Sequence, residues 1–106
     1  MTTSTTTLDK LHQLESLYLH GYQSPVVDRA LEKIIALEHA QALQELRVIE
    51  VSLSNFERKY RLSSPEFYHR FQSGALGDEP DFFEWSALYD MAEALRQRLQ
   101  TLVIAA

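Results

Sequence analysis

Residues 42–60, ALQELRVIEVSLSNFERKY, decide the fold. Their apolar side chains fall at Ala42, Leu46, Ile49, Leu53, Phe56 and Tyr60, in steps of 4, 3, 4, 3 and 4. Alternating steps of three and four keep one stripe of a helix turned toward a neighbour, whereas a strand would need a period of two. No glycine or proline interrupts the chain between Pro25 and Pro65, so the stripe belongs to one long helix over about residues 25–60. Ser24 supplies a cap residue and Pro25 suits the first helical position. At 1.5 Å per residue such a rod is roughly 52 Å long. A compact chain of this size has a radius of gyration of only about 13 Å. The rod must therefore project, bend or be covered by another chain.

A second stripe answers the first. Trp85, Leu88, Ala92, Leu95, Leu99 and Leu102 follow steps of 3, 4, 3, 4 and 3, which predicts a helix over about residues 81–103 with Asp81 and Glu84 at its start as a capping pair. Between the two stripes, Ser63-Ser64-Pro65-Glu66 has the form of a capping box, with Leu62 and Phe67 placed as a hydrophobic staple. It opens a short helix over about 64–73 that Gly74 ends. Before the long helix, Leu8, Leu11, Leu14, Leu17 and Tyr18 share one side of a helix over about 8–20, with Thr7 as its cap and Gly21 as its end. The Thr-rich residues 1–7 read as a disordered tail, and 8–106 as a single helical domain. The predicted fold is all-α. A long helix pairs with an antiparallel C-terminal helix through a short one, and the N-terminal helix packs on the long one, in a dimeric helical bundle.

Composition narrows the function. The 106 residues carry 15 acidic and 10 basic side chains, a net charge of −5, which argues against a dedicated nucleic-acid-binding module. No cysteine is present, so disulfides, thiolate zinc sites and cysteine nucleophiles are excluded. No apolar run approaches the roughly 20 residues that span a bilayer. The opening MTTSTTT has neither a charged nor an apolar signal region, so a cytoplasmic protein without a membrane partner is expected.

Four histidines stand apart at 12, 20, 39 and 69. His12 and Glu15 share a helix face, but a zinc site needs three or four converging ligands, and the sequence places no third. No metal or cofactor is expected. There is no G-x-S-x-G, Walker loop or H-E-x-x-H, and Gly74 to Gly77 reads as a turn, so no enzyme activity is expected. The run Asp78-Glu79-Pro80-Asp81-Phe82-Phe83-Glu84-Trp85 lacks the spacing and glycine of a calcium loop. Its aromatic side chains interleaved with carboxylates have the composition of a protein-docking surface. Asp78, Glu79, Asp81, Phe82, Phe83, Glu84 and Trp85 are the candidate partner-binding residues. Asp90 and Glu93 extend the same charge, and no basic residue occurs from Phe71 to Leu95. Arg58, Lys59, Arg61 and Arg70 form a basic patch that could touch nucleic acid or simply complement helix C-termini.

The stretch FERKYRLSSPEFYHRFQSGALGDEPDFFEWSALY, Phe56 to Tyr89, resembles a segment of a family of small prokaryotic helical, antitoxin-like proteins encoded beside small toxin-like proteins. The shared pattern is KYxxSSxEFxxRFxxGxLGDxxDFxEW, and GYQSPVVDRALEKIIALE before the first stripe is similar more loosely. Arg61 stands where a glycine is common in that family, so the long helix is expected to run slightly further here. The resemblance implies a non-enzymatic neutraliser of a small basic toxin-like protein. A homo-oligomeric adaptor and a nucleic-acid-binding regulator are the alternative readings.

The expected homodimer rests on the long helix. Ile34, Leu37, Leu43, Val48 and Val51 lie off its main stripe and would stay wet in a single copy. They form the candidate dimer seam, with His39 and Gln44 as polar groups that could set its register.

Overall fold

The computed structural model describes residues 6–103. Four helices follow one another: α1 (Thr7–Leu19), α2 (Pro25–Tyr60), α3 (Ser64–Gln72) and α4 (Pro80–Thr101). Among the described residues there is no strand. Of the expected tail, residues 1–5 lie outside the described residues, and Thr6 and Thr7 belong to the start of α1. The cap is Thr6 rather than Thr7: its Oγ1 accepts from Asp9 N–H at 3.1 Å, and Asp9 Oδ2 accepts from Thr6 N–H at 3.2 Å. The chain divides into two compact units, the first ending at Ile34 and the second beginning at Ile35.

In the first unit α1 turns back on the opening of α2. Gly21, with φ of +93°, takes the left-handed position past the end of α1, and Tyr22 N–H reaches Leu17 C=O at 3.0 Å. Tyr18 then ties the hairpin. Its hydroxyl donates to Asp28 Oδ1 at 2.6 Å and accepts from Ser24 N–H at 3.1 Å. Ser24 also caps α2, its Oγ accepting from Val27 N–H at 3.3 Å. No described side chain of this unit is fully buried. Leu8, Leu11, Leu17 and Leu19 are all exposed.

The second unit holds the core. Ala42, Leu46, Ile49 and Leu53 of α2 meet Ala92 and Leu95 of α4 along the two predicted stripes, with Phe67 of α3 and Trp85 closing the end. The pairing is antiparallel, as Phe56 against Trp85 and Glu45 against Arg98 show. Phe67 stacks on Trp85 with ring centroids 3.8 Å apart and planes within 2°. Phe56 and Tyr60 stack on the same indole at 5.5 and 5.8 Å. Trp85 is wholly inaccessible, so its ring N–H needs a partner inside the protein. It finds Ser64 Oγ at 2.9 Å, while Ser64 N–H donates to Glu57 Oε2 at 2.8 Å. One serine thus joins all three helices of the unit.

Three further helix boundaries differ from expectation. α2 does not run past Tyr60: Arg61 itself takes the left-handed conformation, φ +52°, and Leu62 N–H closes on Glu57 C=O at 3.2 Å. The same closure ends α3 through Gly74, φ +78°, with Ala75 N–H on Arg70 C=O at 3.0 Å. Only half of the expected box at α3 forms. Ser63 Oγ accepts from Glu66 N–H at 3.3 Å, but the Glu66 carboxylate turns to Arg70 at 3.0 Å, one turn on. α4 begins at Pro80 after Glu79, with no side-chain cap, because Asp81 is drawn to partners on α2.

Two stability predictions follow from these contacts. A non-glycine residue in the left-handed region costs about 1–2 kcal/mol, partly offset by the greater freedom of glycine in the unfolded chain. Arg61→Gly should therefore stabilise the protein by about 0.5–1 kcal/mol, read as a higher urea midpoint. Ser64→Ala should cost about 1–3 kcal/mol, because it strands the buried indole N–H, with a loss of near-ultraviolet dichroism from Trp85.

Candidate protein-docking surface

The acidic, aromatic run occupies the loop before α4 and its first turns, and the helix sorts its side chains onto two sides. Trp85, proposed from sequence as a docking residue, is instead the centre of the core. It belongs to the α4 stripe, and that stripe is what α2 and α3 bury. Phe82 is likewise half-buried, with Tyr60 at 5.2 Å and Phe67 at 5.6 Å between centroids. Asp81 faces the same way. It accepts from Lys59 Nζ at 2.7 Å and from Tyr60 OH at 2.6 Å. These hydrogen bonds, Lys59 first and Tyr60 second, hold its carboxyl below the usual carboxylate range. They also push the Tyr60 hydroxyl and the Lys59 ammonium up, the hydrogen bond to Asp81 being the main cause in both. Asp81, Phe82 and Trp85 are thus internal fastenings.

The other side of the run stays open. Phe83 is 57% exposed, and its ring rests edge-on against Phe71 at 5.4 Å. Asp78, Glu79 and Glu84 are exposed, and among the described residues none has an ion pair or side-chain hydrogen bond. Carboxylates near a helix N-terminus are favoured by its dipole. Further along α4 the charge is spent locally: Asp90 accepts from Tyr68 OH at 2.6 Å, and Glu93 pairs with Arg96. What remains for docking is Phe83 with Asp78, Glu79 and Glu84.

The basic patch is also largely engaged. Arg58 donates to Asn55, Lys59 to Asp81 and Arg70 to Glu66, leaving Arg61 as the member without a side-chain partner among the described residues. His12 and Glu15 approach at 3.5 Å as an exposed pair. Among the described residues no three metal-capable side chains cluster, and no helix is long and apolar enough to cross a membrane.

Of the proposed dimer seam, Ile34, Leu37, Val48 and Val51 are exposed at 52, 57, 62 and 63%. Leu43 is half-buried, and at 3.6 residues per turn it lies about 130° round α2 from the line of the others. It does not belong to that face. His39 is half-buried too, off the same line. In the second unit Val48 borders an apolar groove of about 440 Å³ shared with Met91 and Ala94 of α4. Met91, 52% exposed, was not singled out from sequence, although Ala87, Met91 and Ala94 repeat the heptad step beside the buried stripe.

Comparison of the chain with protein families, with curated proteins and with solved structures finds no match.

The Asp81 cluster carries a pH signature. A carboxyl whose folded pKa is depressed contributes stability that is complete above its unfolded pKa and is lost as pH falls through the folded value. Asp81→Asn should lower the midpoint of thermal unfolding at neutral pH, and the two proteins should converge under acid. Both partners are partly solvated, at 62 and 34% side-chain exposure, so the difference is a modest one. Melting curves from neutral pH downward check it, and parallel curves would assign the acid sensitivity to other groups.

Proposed function

We propose that the protein is a non-enzymatic, antitoxin-like neutraliser that binds a small basic protein encoded beside it. The observation that carries this reading is Phe83, an exposed aromatic side chain held on a packed frame and attended by three unpaired carboxylates. An aromatic anchor that enters a partner's pocket supplies most of an interface's energy. Carboxylates around it steer a basic partner and reject acidic ones. The frame matters because α3 and α4 are joined through Trp85 and Ser64, so little ordering has to occur when the anchor docks. The resemblance of residues 59–85 to the antitoxin-like pattern supports the same reading. A ribonuclease-like toxin presents the basic groups that such a surface would cover. The nucleic-acid alternative is weakened by the local pairing of Arg58, Lys59 and Arg70.

The test is co-expression of the tagged chain with its small basic neighbour, followed by affinity capture and titration. The wild-type chain should retain the neighbour. Phe83→Ala should weaken binding at least tenfold, about 1.4 kcal/mol or more, while leaving helicity unchanged because the ring is largely outside the core. Glu84→Lys should slow association and reduce its dependence on salt. A neighbour that is never captured by the wild-type chain would overturn the reading.

A further inference from the structure

Outside its buried stripe, α2 carries a second heptad line, two members of which, Gln44 and Val48, border the groove shared with α4. Leu37, Gln41, Gln44, Val48 and Val51 follow steps of 4, 3, 4 and 3, and all five are exposed. The line lies about 150° round the helix from the buried stripe. It is symmetric about its middle: the two glutamines are flanked on one side by Leu37 and on the other by Val48. The sequence continues the symmetry, with Ile34 and Val51 equally far from the centre.

We infer that this line is a homodimer seam in which two copies of α2 run antiparallel, with Gln41 of one copy opposite Gln44 of the other and Leu37 opposite Val48. A two-fold axis between Ala42 and Leu43 produces all of these layers at once, as a symmetric interface requires. Steps of three and four place the opposed side chains in knobs-into-holes positions. A parallel pair matches each residue with itself whatever the sequence, so only the antiparallel pair makes use of the symmetry. Opposed helix dipoles favour the same direction. The amide layers fix the register. Slipping by one heptad would bury glutamine against leucine or valine, leaving its amide unpaired. One kind of like-charge approach results, between Glu38 and Glu45 of the second copy and repeated by the axis, and Arg98 meets it by pairing with Glu45 at 3.9 Å. The seam is independent of the Phe83 surface, so either can fail without the other.

The absence of cysteine makes the test clean, because introduced thiols report alone. Leu37 and Val48 of one chain are about 16 Å apart along the helix, beyond the roughly 7 Å between Cα atoms that a disulfide can join. The double variant Leu37→Cys/Val48→Cys should therefore give a covalent dimer on mild oxidation. Val48→Cys alone should not, since its two copies would also stand about 16 Å apart. The unaltered chain should show twice 12.2 kDa by light scattering at micromolar concentration. Gln44→Lys, at an exposed position of the single chain, should keep its helicity and raise the dimer dissociation constant at least tenfold. A monomeric mass overturns the seam, as does a dimer whose double variant does not cross-link. Cross-linking of Val48→Cys alone as fast as the double variant overturns the antiparallel arrangement.

Discussion

A single hydrogen bond from a buried indole organises the second unit. Trp85 brings a large apolar ring that three aromatic neighbours cover, and it brings one donor that cannot be left without an acceptor. Ser64 meets that donor at the first turn of α3, and the same residue's backbone is held by Glu57 near the end of α2. The turn between α2 and α3 must therefore be tight enough to bring Ser64 under the ring, which is why Arg61 tolerates a left-handed backbone. The loop from Gly74 to Pro80 then returns the chain to the same place, with Phe82 against Phe67 and Asp81 against Lys59.

This arrangement divides one short stretch of sequence between two tasks. Phe82 and Phe83 are adjacent in sequence and chemically identical, yet one seals the core and the other faces solvent. Asp81 and Glu84 divide in the same way. The distinction is rotational, since neighbouring helical residues point about 100° apart. The docking surface is therefore smaller than its composition suggests, but it is also stiffer. Phe83 and Glu84 each sit beside a residue that is fastened inside, Phe82 and Trp85.

The architecture was legible because both buried stripes are periodic over many turns, and periodicity survives uncertainty at any single position. The start of α3 was legible for a different reason: its serine and proline act within four residues. The place of Asp81 before an apolar run has the form of a cap, but its partners, Lys59 and Tyr60, are more than twenty positions away and no local window contains them. Trp85 satisfied two readings at once, as a member of the α4 stripe and as an aromatic among charges, and burial decided for the stripe. Arg61 shows the opposite case. Its side chain argues for continuing the helix, but the aromatic cluster beyond it ends the helix there. Leu43 lies off the main stripe as Val48 and Val51 do, but its angle on the helix separates it from them.

The first unit has no fully buried side chain, while α2 continues from it into a well-packed core. In helix–coil terms the nucleus of α2 is supplied by the core, and its N-terminal turns are propagation, added one weak bond at a time. Backbone amides near Asp28 can then exchange with solvent through local fraying, whereas those near Ile49 exchange only when the core opens. One helix would carry two protection classes, and a protease given time would find the first of them.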